Sequence, residues 1–256
     1  MTTPPRAGLC SVTYRALPAA EVIALAANSG LETIEWGGDV HAPPESPGTL
    51  DQVRELTTAR GMTVGGYGSY FRAGPHGEPE FLPVARAAAR LGAPRIRIWA
   101  GNAGSAETDP DARHRVVAAT RAAATIAADH GLLLGYEYHR NTLTDTVEST
   151  LRLLAEVDHP AVATYWQPPV GMDDDEAIDG LRRILPHLCA VHVFSWWPET
   201  ERLPLATRDK LWHRAFAELS GLGTPIDALL EFVPDNNPAA LETEAATLRH
   251  LIDTQP

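Results

Sequence analysis

Four polar side chains interrupt apolar runs in the second half of the chain: Glu137 in Gly135-Tyr136-Glu137-Tyr138-His139, Gln167 in Tyr165-Trp166-Gln167-Pro168, His192 in Val191-His192-Val193-Phe194, and Glu231 in Leu230-Glu231-Phe232-Val233. Burying any one of them without a partner costs on the order of several kcal/mol. Two carboxylates, an imidazole and an amide oxygen form a mixed O/N donor set suited to one divalent metal ion, Mn²⁺, Mg²⁺, Co²⁺ or Zn²⁺. One ion would partner all four at once. The plainer alternative satisfies each of them separately with arginines and hydroxyls.

These residues stand 30, 25 and 39 residues apart, about one strand-plus-helix unit each, so successive strands would aim them at a common centre. The elements that do this recur along the whole chain. Short runs rich in Val, Ile, Leu and aromatics predict strands at 8–13, 33–36, 63–66, 95–99, 132–138, 162–166, 190–194 and 228–232. Segments of helical period predict helices at 18–28, 50–60, 80–91, 111–129, 144–157, 174–185, 208–219 and 238–252, with Gly30, Gly61, Gly92 and Gly131 as stop signals. Eight such units in 256 residues predict an α/β chain folded as a single (β/α)₈ barrel domain over 1–256. A doubly wound open sheet is the competing fold, but the first strand runs into Ser11-Val12-Thr13-Tyr14-Arg15 and not into a glycine-rich turn.

In a barrel, loops after the strands line the mouth, which draws in the Pro/Gly-rich pieces 41–48 and 71–79. Expected substrate contacts are Glu35, His41, Arg97, Trp99, His139, Trp166 and Trp196, with Asp39 a further candidate. Period-2 alternation puts Glu137 with His139, and Arg97 with Trp99, on one face. Each has a plainer role: His41 and His139 as loop caps or partners behind a ligand, Arg97 as a salt bridge to Glu35 or Glu137. Trp36, Tyr67, Tyr70, Phe71, Tyr165, Phe194 and Trp197 gather at the same end, where they suit a sugar face or serve as packing; Trp212 lies in a helical pattern and reads as packing. No phosphate loop is evident, and Arg202 and Arg208, the best candidates for one, read as solvated arginines. Asp173 to Glu176 suit the start of the sixth helix and need no catalytic role.

The order Glu, ligand, His, Glu at four successive strand ends resembles the xylose isomerase-like TIM barrels, which include sugar isomerases, epimerases and endonuclease four-type DNA repair enzymes. The segment Gly30-Leu31-Glu32-Thr33-Ile34-Glu35-Trp36 is similar to the second strand of that group. The resemblance implies that Glu137 and Glu231 bind the metal and shuttle the proton, with His192 as a ligand. Gln167 departs from it: the family usually has an aspartate there, often followed three residues later by a histidine, and here that position is Val170. One charge fewer should weaken metal binding and leave a stronger Lewis acid. The implied reaction is isomerisation or epimerisation of a ketose-like carbonyl compound, in which a proton α to the carbonyl leaves and a metal-stabilised enediolate forms. The same base and metal would serve a lyase or hydrolase cleaving keto-glycosides by β-elimination.

Charge narrows the field. Lys and Arg number 21 against 33 Asp and Glu, a net −12, and Lys210 is the sole lysine. Nucleic acid and anionic membrane surfaces both require a concentrated positive field. The DNA-repair branch also needs a cluster of metals, and 63–68 offers no ligand. A non-catalytic sugar-binding barrel would bind no metal and tolerate changes at Glu137 or Glu231. Cys10 and Cys189 show no disulfide or CxxC framework and read as small buried hydrophobes. With no apolar leader and no 18-residue apolar run, the expectation is a cytoplasmic enzyme, with homodimer formation as a possible assembly.

Overall fold

Eight strands run parallel and close on themselves: β1 (Arg6–Cys10), β2 (Thr33–Gly37), β3 (Thr63–Arg72), β4 (Arg95–Trp99), β5 (Leu133–Tyr136), β6 (Val162–Trp166), β7 (Leu188–Val193) and β8 (Asp227–Leu230). Closure is made by β8 against β1, with Arg6 opposite Asp227 and Leu9 opposite Leu230. Helices α1 (Ala19–Asn28), α2 (Pro47–Ala59), α3 (Phe81–Leu91), α4 (Pro110–Asp129), α5 (Val147–Val157), α6 (Asp174–Ile184), α7 (Asp209–Ser220) and α8 (Leu241–Asp253) follow the strands in turn. This is the expected (β/α)₈ barrel, in a computed structural model that describes residues 4–74 and 80–255. The second expected mouth loop therefore lies partly outside the described residues. Among the described residues no helix is long and apolar enough to cross a membrane.

Alternation along each strand divides the core in two. Outward residues such as Ile34, Ile96, Ile98, Leu134 and Val191 are fully buried under the helices. The helices answer with apolar stripes at i, i+3, i+4 spacing: Phe81, Val84, Ala85, Ala88 and Leu91 on α3, and Leu211, Trp212, Ala215, Phe216 and Leu219 on α7. Asp109, Thr146 and Asp173 cap α4, α5 and α6 by accepting from the amides of Ala112, Ser149 and Glu176.

The barrel interior is only partly apolar. Cys10, Val12, Tyr165, Ala190 and Leu229 form a small plug. Below it Asp227 pairs with Arg6 at 2.7 Å and Arg95 at 2.5 Å. Arg95 Nε donates to the Tyr165 hydroxyl at 3.0 Å, and that hydroxyl donates to Glu35 Oε2 at 2.7 Å. Glycines make room for these large groups: a Cβ on Gly135 would overlap the Tyr165 ring, and one on Gly68 would come within 2.9 Å of Arg97 Nη2.

Element ends differ from expectation where side chains compete for backbone partners. β1 stops at Cys10 because Ser11 Oγ accepts the Gly37 amide at 2.9 Å and a 3₁₀ turn, Ser11–Tyr14, follows. α5 begins three residues late because the Thr144 hydroxyl donates to the Glu137 carbonyl at 2.6 Å. β3 extends to Arg72, and a two-residue antiparallel ladder, Ser195–Trp196 with Arg202–Leu203, interrupts the passage from β7 to α7.

Candidate metal centre at the barrel mouth

The inward parity of β5, β6 and β8 continues one residue past the end of each strand, and that of β7 reaches His192, still paired inside the strand opposite Leu229. Tyr165 is followed inward by Gln167, Ala190 by His192, and Leu229 by Glu231. Glu137 continues β5 by one residue, its amide donating to the Ile98 carbonyl at 2.9 Å. Ligand atoms of Glu137, His192 and Glu231 lie within 4.8 Å of one another, and all three side chains are buried. His192 Nδ1 is 3.0 Å from Gln167 Oε1 and 3.3 Å from Glu231 Oε2. Neighbouring ligands of a six-coordinate ion with bonds near 2.1 Å stand about 3 Å apart, so this spacing fits one divalent ion.

Behind these donors lies a second tier. Glu137 Oε2 accepts from Arg97 Nη1 and from the Trp99 indole N–H. Arg97 Nε donates to Glu35 Oε1 at 3.0 Å. Glu35 Oε1 is 3.7 Å from His192 Nε2, a buried nitrogen with no hydrogen-bond partner of its own. Nδ1 faces two acceptors, Gln167 Oε1 and Glu231, and donates to them; a divalent ion would take the place of that proton, with the carboxylate facing Nε2 keeping the other.

Burial works against charge on Glu35, yet Arg97, His192 and the Tyr165 hydroxyl bring its pKa down to about 2. Burial disfavours the His192 cation, but Glu231 above all holds its pKa well above the ordinary imidazole value. Glu231 is also buried, and His192 and Arg97 hold it below the usual carboxylate range. The Cys10 thiol is pushed up to about 12 by burial, which keeps it out of thiolate chemistry. Three carboxylates thus share one guanidinium and one imidazole, an excess of negative charge that a cation would offset.

The fold brings together the four expected ligands, but it corrects several expected substrate contacts. Trp166 points outward, fully buried with its ring 5.9 Å from Trp212, because inward Tyr165 and Gln167 leave the residue between them outside. His41 is buried with both ring nitrogens engaged, Nδ1 with Ser11 Oγ and Nε2 with the Leu17 carbonyl, each at 3.0 Å, so it caps the loop. Glu35 and Arg97 lie inside the barrel behind the donors, bound to each other. Asp39 pairs with Arg15 at 2.9 Å and accepts from Tyr70. Trp99, His139 and Trp196 remain half-buried at the mouth: Trp99 beside His139 at 5.9 Å, Trp196 between Phe194 and Phe232 at 4.8 and 5.7 Å.

Sequence reasoning passed over Thr144 and Phe232. Phe232 has φ +53°, a left-handed conformation costly for an aromatic residue, and follows Glu231 directly. No sequence signal marks that torsion.

A family model described as xylose isomerase-like TIM barrel matches residues 23–251. A 3-dehydroshikimate dehydratase from Bacillus anthracis is 46% identical over 99 residues, 36% of this chain and 35% of that protein, so the match spans about a third of the relative's length. Folds similar over nearly the whole chain include a probable 3-DHS dehydratase of petrobactin synthesis from Bacillus anthracis, with TM-score 0.76, 20% identity, and coverage of 96% of this chain and 98% of that one. A 3-keto-D-glucoside 4-epimerase from E. coli has TM-score 0.74 and 17% identity, covering 96% and 99%. A Mycobacterium smegmatis protein solved with magnesium has TM-score 0.70 and 15% identity, covering 98% and 97%.

Proposed function

This chain belongs to the xylose isomerase-like TIM barrel family, and on that premise we propose that it is a divalent-metal-dependent enzyme that removes a proton α to the carbonyl of a small, sugar-like hydroxyketone through an enediolate. The observation that supports this reading is the convergence of Glu137, His192 and Glu231 within 4.8 Å, with Gln167 beside them. A bound Mn²⁺, Mg²⁺, Co²⁺ or Zn²⁺ would supply positive charge to the enediolate oxygens.

The two carboxylates are not equivalent. Glu137 is held through Oε2 by two donors, Arg97 and Trp99, whereas Glu231 faces His192. Glu231 is the freer group and takes the proton. His139 Nδ1 lies 2.6 Å from the Arg140 carbonyl. A carbonyl only accepts, so Nδ1 carries a hydrogen and Nε2 is the ring nitrogen not committed to the Arg140 carbonyl. One base with one proton donor suits β-elimination: Glu231 removes the α proton, and His139, entering the step as the imidazolium, gives its Nε2 proton to the departing β hydroxyl, which leaves as water. Loss of water is therefore the leading outcome, supported by the segment 46% identical to a 3-dehydroshikimate dehydratase. The second reading is isomerisation or epimerisation. It is favoured by two carboxylates flanking one donor set, with Glu137 returning the proton to the opposite face. A cytoplasmic setting belongs to the same proposal and is supported by two free cysteines.

The test incubates Mn²⁺-loaded protein in D₂O with 3-dehydroshikimate, with D-fructose and with a 3-keto-glucoside, and resolves products by mass. Loss of one water supports the dehydratase; unchanged skeleton with one deuterium gained supports the isomerase. Neither product nor deuterium exchange from any of the three, with metal bound, would overturn the enediolate reading.

A further inference from the structure

Resting on the reading that this mouth is the active site, we propose that the substrate carries an oxyanion, a carboxylate or a phosphate, and that Arg202 receives it. The short ladder after β7 folds Arg202 back over the barrel, opposite Trp196. The Arg202 Cζ lies 4.5 Å from the ring centre of Phe232 and 5.4 Å from that of Trp196. Phe232 is the residue after Glu231, and its ring packs on the interior plug of Cys10, Val12, Tyr165, Ala190 and Leu229. Its unusual torsion is held by its own amide, which donates to Thr13 Oγ1 at 3.0 Å. The stack therefore seats a guanidinium on the ring of the residue that follows a proposed catalytic carboxylate in the chain.

Arg202 differs from the other enclosed arginines. Arg95 is paired with Asp227, Arg97 with Glu35 and Glu137, Arg113 with Glu156, and Arg208 with Asp174. Among the described residues Arg202 has no carboxylate partner, only Asn236 Oδ1, to which Nη1 donates at 2.9 Å. That one bond leaves most of its five donors free, and the aromatic faces hold the plane in which a bidentate oxyanion would lie. In a chain of net charge −12, a half-buried cation without an acidic partner is a natural anion acceptor. Arg72 also stacks, 3.7 Å from the Trp99 centroid, but it donates to the Gly101 carbonyl and already feels the negative charge of Glu137, an acidic neighbour that Arg202 lacks. Arg208, the other arginine singled out by sequence, is committed to Asp174 and the Met172 carbonyl.

Isothermal titration tests this without turnover, using two matched pairs: 3,4-dihydroxybenzoate against 3,4-dihydroxybenzamide, and D-fructose 6-phosphate against D-fructose. The expected result is that one anion binds at least about tenfold more tightly than its neutral counterpart, a difference of about 1.4 kcal/mol. The pair that discriminates identifies the carboxylate or the phosphate as the source. In Arg202→Met the preference should fall to within about twofold, with Arg202→Lys recovering part of it. Equal binding of anion and neutral partner, no binding by either pair, or a preference retained in Arg202→Met would each overturn the assignment. Glu231→Gln separates the two claims: it should abolish turnover yet keep the Arg202-dependent preference, so either claim can fail while the other stands.

Discussion

His192 Nδ1 lies 3.0 Å from Gln167 Oε1, the separation of two adjacent ligands on one six-coordinate ion. Gln167 offers a neutral oxygen where a carboxylate would add a full charge. Replacing Gln167 by Asp should therefore tighten divalent-ion binding at least about tenfold, read by competition with a metal-sensitive chelator. Unchanged affinity would remove residue 167 from the donor set.

Arg97 is the one guanidinium shared by Glu35 and Glu137. Arg97→Met strands both carboxylates in the barrel and should cost about 3–5 kcal/mol in denaturant unfolding. Arg97→Lys, a single point charge without the forked geometry, should recover only part of that. A loss below about 1 kcal/mol would show that the buried pairs contribute little.

Much of this was legible in the chain itself, and the failures have physical causes. The eight units were readable because glycines punctuate them; Gly30, Gly61, Gly92 and Gly131 all adopt positive φ after the helices they end. The four donors converge because period-2 alternation carries Glu137, Gln167 and Glu231 one step past β5, β6 and β8, to join His192, the penultimate residue of β7. The same rule, applied strictly, would have turned Trp166 outward once Gln167 was placed inward. Linear spacing does not reveal which carboxylate a buried arginine takes; of the two readings of Arg97, substrate contact or salt bridge to Glu35 or Glu137, the structure shows the salt bridge, made to both. Arg202 was singled out but read as solvated, because nothing in the sequence shows that a two-residue ladder after β7 folds it back onto Trp196 and Phe232.

The close fit of Gly135 against Tyr165 makes a further prediction. Gly135→Ala should destabilise the protein by roughly 1–3 kcal/mol, since the added methyl must displace a fully buried ring. Gly48→Ala is the control: it lies in the first turn of α2 with nothing within 4 Å of the new Cβ, and should be neutral or slightly stabilising. Equal thermal shifts for the two would contradict the packing described for the barrel interior.

Glu244 provides a pH signature away from the mouth. Burial raises its pKa above 4.5, although the Leu205 amide donates to its Oε2 at 2.7 Å. A raised acid contributes its stability fully below its unfolded pKa and loses it as pH rises through the folded value. Glu244→Gln keeps an oxygen for the Leu205 amide and removes the buried charge. The variant should match the parent below pH 4.5 and exceed it at neutral pH by roughly 2–4 °C in Tm for each kcal/mol relieved. A difference that does not change with pH would contradict this.

The central claim, that the strand-end donors hold a divalent ion, is tested most directly by metal content. Protein purified without chelator, given Mn²⁺ and freed of excess, is analysed by elemental mass spectrometry beside His192→Ala and Glu231→Gln. The account predicts one divalent ion per chain, lost in His192→Ala and weakened in Glu231→Gln. An ion-free parent, or an ion retained undiminished in His192→Ala, would contradict it.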